Sequence, residues 1–211
     1  MRKSVGYILL LGFLIFSPLS LGDLHAQVGD SESVPWGTDL RETSLVGIGY
    51  TTNAPRQLLG GSALVLGKGL RNWGLYADVK TWIDTPEDEP GFTLALTPED
   101  AARFGDTPLG ERSTWRSVNV ALVRVVAAGL AVYAGGGYSE EMLYRRYFNP
   151  ERERGESGHY WVRDAPDPVQ HINVMGGAWF RVTSRFLFQF GVERAPRGIT
   201  AGITYTLNFG S

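Results

Sequence analysis

Residues 199–209 read ITAGITYTLNF and alternate between large apolar and polar or small side chains. Successive side chains of a β-strand point to opposite faces of the sheet, so this pattern predicts a strand with one apolar and one polar face. The apolar face carries Ile199, Ala201, Ile203, Tyr205, Leu207 and Phe209. The stretch therefore predicts a terminal strand that separates two different environments.

The same period of two recurs through most of the preceding chain, which predicts further strands. They lie near residues 46–50, 73–80, 117–122, 130–139, 172–182 and 186–193, and the apolar, glycine-rich stretch 58–69 completes a set of about eight. Short links join the last three strands, which is typical of an antiparallel meander. The sequence thus predicts an all-β chain with an up-and-down arrangement.

The links between the predicted strands differ in length in a regular way. Every even-numbered link is tight, whereas both long links, residues 84–112 and 140–168, are odd-numbered. A transmembrane barrel with periplasmic termini has short periplasmic turns and longer outer loops. The lengths therefore predict such a barrel with both termini in the periplasm. Within the first long link, Thr97–Asp100 predicts a capped helix that continues to about residue 104.

The N-terminus has the layout of a secretory signal peptide. Basic residues at positions 2 and 3 precede a nearly uncharged apolar run, 5–21, and Ala26 supplies a small residue at a cleavage position. We therefore predict a signal peptide at 1–26, a short periplasmic segment at 27–43 and the barrel at 44–211. An uncleaved anchor is the alternative, although the run is short for a spanning helix.

Composition excludes several kinds of function. The chain has no cysteine, which excludes disulfides, thiolate catalysis and cysteine-based zinc sites. Its net charge is −2, so no basic field predicts nucleic-acid binding. The acidic run Asp84, Glu87, Asp88 and Glu89 lacks regular metal-ligand spacing. We predict neither a metal site nor a cofactor.

In a bilayer the sheet must close, because every backbone polar group in hydrocarbon needs a partner within the protein. The apolar face then contacts lipid and the polar face fills the lumen. The polar residues predicted to face the lumen are Asp78, Lys80, Arg116, Asn119, Arg181, Arg185, Gln189 and Glu193. Eight strands leave an interior that side chains can fill, so an ion-paired plug is favoured over a narrow polar path or a small-ligand cleft.

Aromatic residues fall near the ends of several predicted strands, on the apolar face. Such residues form girdles at the two membrane interfaces of a transmembrane barrel. The periplasmic girdle is predicted from Trp73, Phe180, Phe186 and Phe209, and the opposite girdle from Tyr50 and Tyr138.

The signal peptide, the repeated hairpins and the aromatic ending TYTLNF at 204–209 resemble small bacterial outer-membrane β-barrel proteins. The resemblance implies an outer-membrane location, and contact with membrane lipid and lipopolysaccharide. It also implies that the barrel-assembly machinery reads the C-terminal strand during insertion. The arginines between residues 145 and 154 could contact lipopolysaccharide phosphates.

Two alternatives remain open from the sequence. A soluble, lipocalin-like barrel has the same alternation with its apolar face turned inward around a ligand. A lipid-modifying outer-membrane enzyme would need a nucleophile beside a histidine, but Ile172 and Asn173 follow His171 where a serine is expected. We therefore predict no catalytic residues and a structural or surface-interaction role.

Overall fold

The computed structural model describes residue 40 and residues 44–54, 56–67, 72–151, 153–155 and 157–208, with residue 208 described by its backbone alone. The predicted signal peptide, most of segment 27–43 and the predicted girdle residue Phe209 lie outside the described residues. Within those described ranges, no helix is long and apolar enough to cross a membrane.

Strands dominate the described chain, and eight of them close into a ring. The strands are β1 (Leu45–Ala54), β2 (Leu58–Leu66), β3 (Trp73–Trp82), β4 (Phe92–Thr93), β5 (Thr107–Ala127), β6 (Leu130–Phe148), β7 (His159–Arg163), β8 (Val169–Arg181), β9 (Phe186–Arg194) and β10 (Arg197–Asn208). All except β4 and β7 pair antiparallel around the ring, and β1 pairs with β10 to close it. The ring confirms the predicted eight-stranded up-and-down barrel.

The two ends of the barrel differ. The short-turn end contains the links at 67–72, 128–129 and 182–185, the start of β1 and the end of β10. The long-loop end contains the links at 55–57, 83–106, 149–168 and 195–196. Leu40, in the predicted N-terminal segment, is buried in the barrel core and donates its backbone N–H to the Ala128 carbonyl at the short-turn end (2.9 Å).

Beyond the ring, β5 and β6 continue as a paired ribbon at the long-loop end. The ring pairing of β5 stops at Arg116, and that of β6 stops at Glu141. We call the part beyond these residues the platform. It comprises residues 107–115 and 142–148, a short 3-10 helix (Pro86–Asp88), β4, α1 (Pro98–Arg103) and β7. The boundaries predicted for the two long links were therefore wrong, because the charged stretches 107–112 and 140–148 are strands.

The predicted helix in the first long link is confirmed. Thr97 accepts a hydrogen bond from the Asp100 backbone N–H (3.2 Å), and the Asp100 carboxylate accepts one from the Thr97 backbone N–H (3.0 Å). This reciprocal capping box starts α1, which ends at Arg103. Ala101 is buried against the platform residues Tyr147, Tyr160 and Val162.

The barrel interior is narrow, and glycine makes room for its largest side chains. A Cβ at Gly191 would lie 2.1 Å from the Tyr133 hydroxyl, and one at Gly177 would lie 2.7 Å from it. Both contacts are shorter than van der Waals separation. The ring of Tyr133 can therefore lie over the inner face of the two neighbouring strands only because these positions on β8 and β9 lack side chains.

Candidate functional site

A charged cluster occupies the half of the barrel interior nearer the long-loop end. Lys80 Nζ lies 2.8 Å from Asp78 Oδ2 and 2.5 Å from Glu193 Oε1, and all three side chains are fully buried. Asn119 donates a hydrogen bond to Asp78 (2.7 Å), and Asn53 donates one to Glu193 (3.1 Å). Burial of charge is costly unless partners are in place, and here two amide donors and an ammonium serve two carboxylates.

Asparagine side chains extend this cluster across the barrel. Asn173 donates to Asn119 Oδ1 (2.8 Å), and its own oxygen accepts the backbone N–H of Ala195 (2.9 Å). The cluster thereby links side chains from β3, β5, β8 and β9 and ties them to the link between β9 and β10.

An aromatic layer lies below the charged cluster, toward the short-turn end. Gln189 donates hydrogen bonds to the hydroxyls of Tyr76 and Tyr133 (3.0 Å each), and Tyr76 donates to Asp78 (2.8 Å). The ring of Trp179 lies 4.7 Å from that of Tyr76 and 4.4 Å from that of Tyr133. Tyr76 and Trp179 are almost wholly inaccessible to solvent. These side chains close the interior below the charges.

A smaller layer covers the charged cluster on its other side. Leu58, Trp115 and Ala195 form a buried group, with Trp82 packed against it. The imidazole of His171 lies tilted against Trp115, with 5.0 Å between the ring centres. The polar interior is thus enclosed between two layers of apolar and aromatic side chains.

The structure places the eight residues predicted to face the lumen in different settings. Five of them are buried inside the barrel, namely Asp78, Lys80, Asn119, Gln189 and Glu193. Arg181 ends β8 and is half-buried. Arg185 is exposed in the link before β9, because that strand begins one residue later. The inward assignment of Arg116 was wrong, because it lies one position out of phase with the buried Ser117 and Asn119.

Sequence reasoning missed several residues that complete the interior. Asn53, Tyr76, Tyr133, Asn173 and Trp179 share the inward positions of their strands with the residues that were named. Their alternation was visible in the sequence. Their partners were not, since pairing across the barrel depends on the stagger of the strands.

The outer face of the ring is apolar and open to the surroundings. Large side chains there are exposed to an unusual degree, for example Tyr50 (69%), Ile172 (78%) and Val192 (61%). The other girdle residues within the described ranges, Trp73, Phe180, Phe186 and Tyr138, are also exposed or partly exposed. Trp73 and Phe186 begin ring strands at the short-turn end, and Phe180 is the second-to-last residue of β8 at the same end. Continuous exposed apolar surface of this extent is foreign to soluble monomers.

The platform is held together by buried and half-buried ionic contacts. Asp106 accepts hydrogen bonds from Asn149 (2.8 Å), Arg154 (3.1 Å) and the Tyr160 hydroxyl. Glu89 accepts from Arg112 (2.7 Å) and from the indole N–H of Trp161 (2.8 Å).

A third carboxylate joins the platform ribbon to the 3-10 helix. Glu87, in that helix, accepts hydrogen bonds from the hydroxyl of Tyr144 (2.6 Å) and from the guanidinium of Arg163. The three acids Glu87, Glu89 and Asp106 thus connect the links to the β6–β7 sheet at separate points.

These contacts set the electrostatics of the platform. Burial disfavours the charge of Asp106, but hydrogen bonds from Tyr160 and Asn149 and the charge of Arg154 outweigh it and lower the pKa of the carboxyl. The same balance lowers the pKa of Glu87, where Tyr144 and Arg163 oppose the effect of burial. Burial and the neighbouring Glu87 raise the pKa of Tyr144 to about 12. Both acids are therefore charged at neutral pH.

His171 lacks the surroundings of a catalytic base. Its Nε2 atom lies 3.3 Å from Glu141 Oε2. Ser139, its partner residue on β6, is fully buried and donates its hydroxyl to the Ala195 carbonyl (2.5 Å). That serine is neither accessible to a substrate nor bonded to the imidazole in the contacts described. In the described part of the chain, no group of three His, Asp or Glu residues could hold a metal ion.

Comparisons with known proteins give architectural matches at low identity. The attachment invasion locus protein Ail of Yersinia pestis shares 9% identity over 78% of this chain and 97% of its own, with a TM-score of 0.40. Ail in a phospholipid bilayer nanodisc shares 11% identity over 80% and 99%, with a TM-score of 0.41. The N-terminal β-barrel domain of Pseudomonas aeruginosa OprF shares 13% over 80% and 98%, with a TM-score of 0.37. No family model and no curated protein matches the chain.

Ail is an outer-membrane protein and the OprF domain is a β-barrel, so these matches fall within the class that the sequence resembles. At TM-scores this low they add no weight to the assignment. The architecture of this chain rests on its own strand pairing, which closes from β1 to β10.

Proposed function

We propose that the chain is an outer-membrane β-barrel that anchors the platform at the cell surface, with both termini in the periplasm. The observation that carries this proposal is the inverted burial of the ring. Lys80, Asp78 and Glu193 are fully buried inside, whereas apolar side chains such as Ile172 and Val192 are exposed outside. Such a distribution is stable where the outer face contacts hydrocarbon.

This distribution argues against a lipocalin-like barrel, which needs an apolar interior with space for a ligand. Here the interior is filled by an ion-paired cluster and an aromatic layer, with Trp179 and Tyr76 at its centre. The same filling argues against a conducting pore, and the engaged hydroxyl of Ser139 argues against an acyl-transfer enzyme. A filled barrel leaves the platform as the part able to meet molecules outside the membrane.

The platform supports a non-enzymatic, surface-interaction role. Its links are folded by specific contacts at Glu87, Glu89 and Asp106, so it presents a fixed surface. Ordering a loop before it binds lowers the entropic cost of binding. The outer face of the eight ring strands contacts membrane lipid. Insertion through the barrel-assembly machinery follows from the proposed location.

Fractionation of expressing cells, combined with a gel run before and after boiling, tests the anchor. We expect recovery in the outer membrane and a change of mobility on boiling, because a closed barrel resists detergent until heated. Protease treatment of intact cells should cleave within residues 83–106 or 149–168 only. Soluble periplasmic recovery without a mobility change would overturn the membrane assignment.

A second variant tests the platform separately. Residues 83–115 are replaced by a short turn that joins β3 to the ring portion of β5, and residues 142–168 by a second short turn that joins the ring portion of β6 to β8, which leaves every ring strand intact. Cells with the full protein should attach to polylysine-coated surfaces and aggregate more than cells with the trimmed barrel. Equal attachment by both, with equal surface amounts, would remove the interaction role and leave the anchor intact.

A further inference from the structure

Two arginines face each other on the outer surface at the long-loop end. Arg194 ends β9, Arg197 begins β10, and the two are direct partners in the strand pairing. Both side chains are exposed and point outward, and Arg56, in the link between β1 and β2 at the same end, is also exposed. Like charges directly opposite each other on a sheet are destabilising, so the pair calls for an anionic partner.

The protein itself supplies no such partner in the residues described. Residues 44–66 and 186–208 contain a single acid, Glu193, which points inward and pairs with Lys80. Other arginines are accommodated differently: Arg112 and Arg163 pair with acids, and Arg124 stacks over Trp73. Within the described ranges, the rim formed by Arg56, Arg194 and Arg197 carries uncompensated positive charge.

An apolar groove lies directly below this rim on the same four strands. It has a volume of about 330 Å³ and is lined on its outer side by Tyr50, Leu59, Phe188, Phe190, Ala201 and Ile203. Gly61 lies opposite Tyr50 in the strand pairing, and Ala201 opposite Phe190, so small residues leave the depression between the large ones. At about 3.3 Å per residue, the four residues from Ala201 to Arg197 span about 13 Å along the strand.

We propose that this rim and groove bind the lipid A portion of lipopolysaccharide, with its phosphates on the arginines and an acyl chain in the groove. The site rests on the proposed function, because that orientation puts the long-loop end in the outer leaflet. Guanidinium groups bind phosphate oxygens in a bidentate manner. Paired arginines suit a diphosphorylated lipid, and the depth of the groove below them suits chains attached to the same head group.

Charge argues against a second copy of the chain as the occupant. Two barrels packed groove to groove about a twofold axis would bring further arginines toward the same rim. A lipid with phosphate at one end and hydrocarbon at the other satisfies both halves of the site.

Native mass spectrometry of the full refolded barrel in detergent provides the test. The probes are diphosphorylated lipid A, the same lipid without phosphates, and phosphatidylglycerol. The double variant Arg194→Gln/Arg197→Gln should bind diphosphorylated lipid A at least tenfold more weakly than the original chain. Arg116→Gln is the matched control, since Arg116 is also outward and exposed but lies opposite Glu140 in the strand pairing. The control should bind normally.

The groove is tested by Ala201→Phe, which fills it without altering charge. We expect weaker binding of lipid A with or without phosphates. Equal lipid A binding by the double variant and the original chain would overturn the proposal, as would phosphatidylglycerol binding of equal strength. All variants must retain the mobility change on boiling. Its absence from the original chain would instead refute the membrane barrel, so the two failures are distinguishable.

Discussion

The barrel wall, by which we mean the eight ring strands, shares β5 and β6 with the platform. The two regions are stabilised in different ways. In the wall, backbone pairing closes around the ring, and an apolar exterior surrounds a buried ionic cluster. In the platform, the links are held by carboxylates that reach individual side chains, as Asp106 reaches Tyr160. The stability of the wall therefore depends on its environment as a whole, whereas that of the platform depends on a few separate contacts.

The largest expected effect comes from breaking the ionic cluster of the wall. Lys80→Met leaves Asp78 and Glu193 buried beside each other without their cation. Removal of one partner from a buried ionic group costs about 3–5 kcal/mol. Urea unfolding of the barrel in lipid vesicles should show a loss of this size in the free energy of unfolding.

A combined variant provides the control. Lys80→Met with Asp78→Asn and Glu193→Gln removes the uncompensated charges and should recover much of the lost stability. A loss below about 1 kcal/mol for Lys80→Met alone would mean that water reaches the cluster, and would contradict the enclosed interior.

A charge on the outer face should have the next largest effect. Val120 is 56% exposed on the part of β5 that belongs to the ring. Arginine near the middle of the bilayer on a barrel's lipid face costs about 2–4 kcal/mol. Vesicle unfolding of Val120→Arg should show that loss. Leu109→Arg, at an exposed position of the same strand within the platform, should change stability by less than about 0.5 kcal/mol. Similar losses for both would mean that the wall does not contact hydrocarbon.

The same contrast explains what the sequence could predict. In the wall, membrane and interior impose a period of two, so residues such as Lys80 and Gln189 could be assigned a face from alternation alone. In the platform, residues 107–111 of β5 are exposed on both faces, so no clear alternation of apolar and polar side chains is imposed on them. The contact of Glu87 with Tyr144 joins residues 57 positions apart and has no local signal.

Local chemistry was predictable even within the platform. The capping box at Thr97 and Asp100 depends on residues three positions apart, and the sequence predicted it. The inward assignment of Arg116 went against the alternation at 117–122, which places it on the same face as Val118 and Val120. The partners of Lys80 could not be predicted, because they depend on the stagger of the ring strands. The alternation within a single strand gives no information on that stagger.

Acid should weaken the platform before the wall. The folded-state pKa of Asp106 is lowered, so its stabilising contribution is present above its unfolded pKa and is lost as the pH falls through the folded pKa. With an ordinary aspartate near 3.9, the loss begins below about pH 4. Amide hydrogen exchange in the platform should accelerate there while the barrel still migrates as the folded form.

Asp106→Asn tests the cause of that pH dependence. It replaces charged hydrogen bonds and should raise exchange in the platform at neutral pH, with a local loss of about 2 kcal/mol. It should also flatten the acid response. Glu99→Gln, at an exposed position of α1, is the matched control and should keep the original profile. An unchanged acid response in Asp106→Asn would show that other carboxylates are responsible.

The smallest expected effect is confined to one helix. Thr97→Ala removes the side-chain oxygen that accepts the Asp100 backbone N–H, and loss of an N-cap costs about 1 kcal/mol. Amide exchange should accelerate at Asp100 and at Asp106, whose N–H bonds to the Ala101 carbonyl (3.0 Å). Thr97→Ser keeps the hydroxyl and should preserve protection. Because the platform is joined at separate points, the contacts of Glu87 and the vesicle unfolding of the wall should not change; acceleration across β7 as well would show that the platform unfolds as one unit.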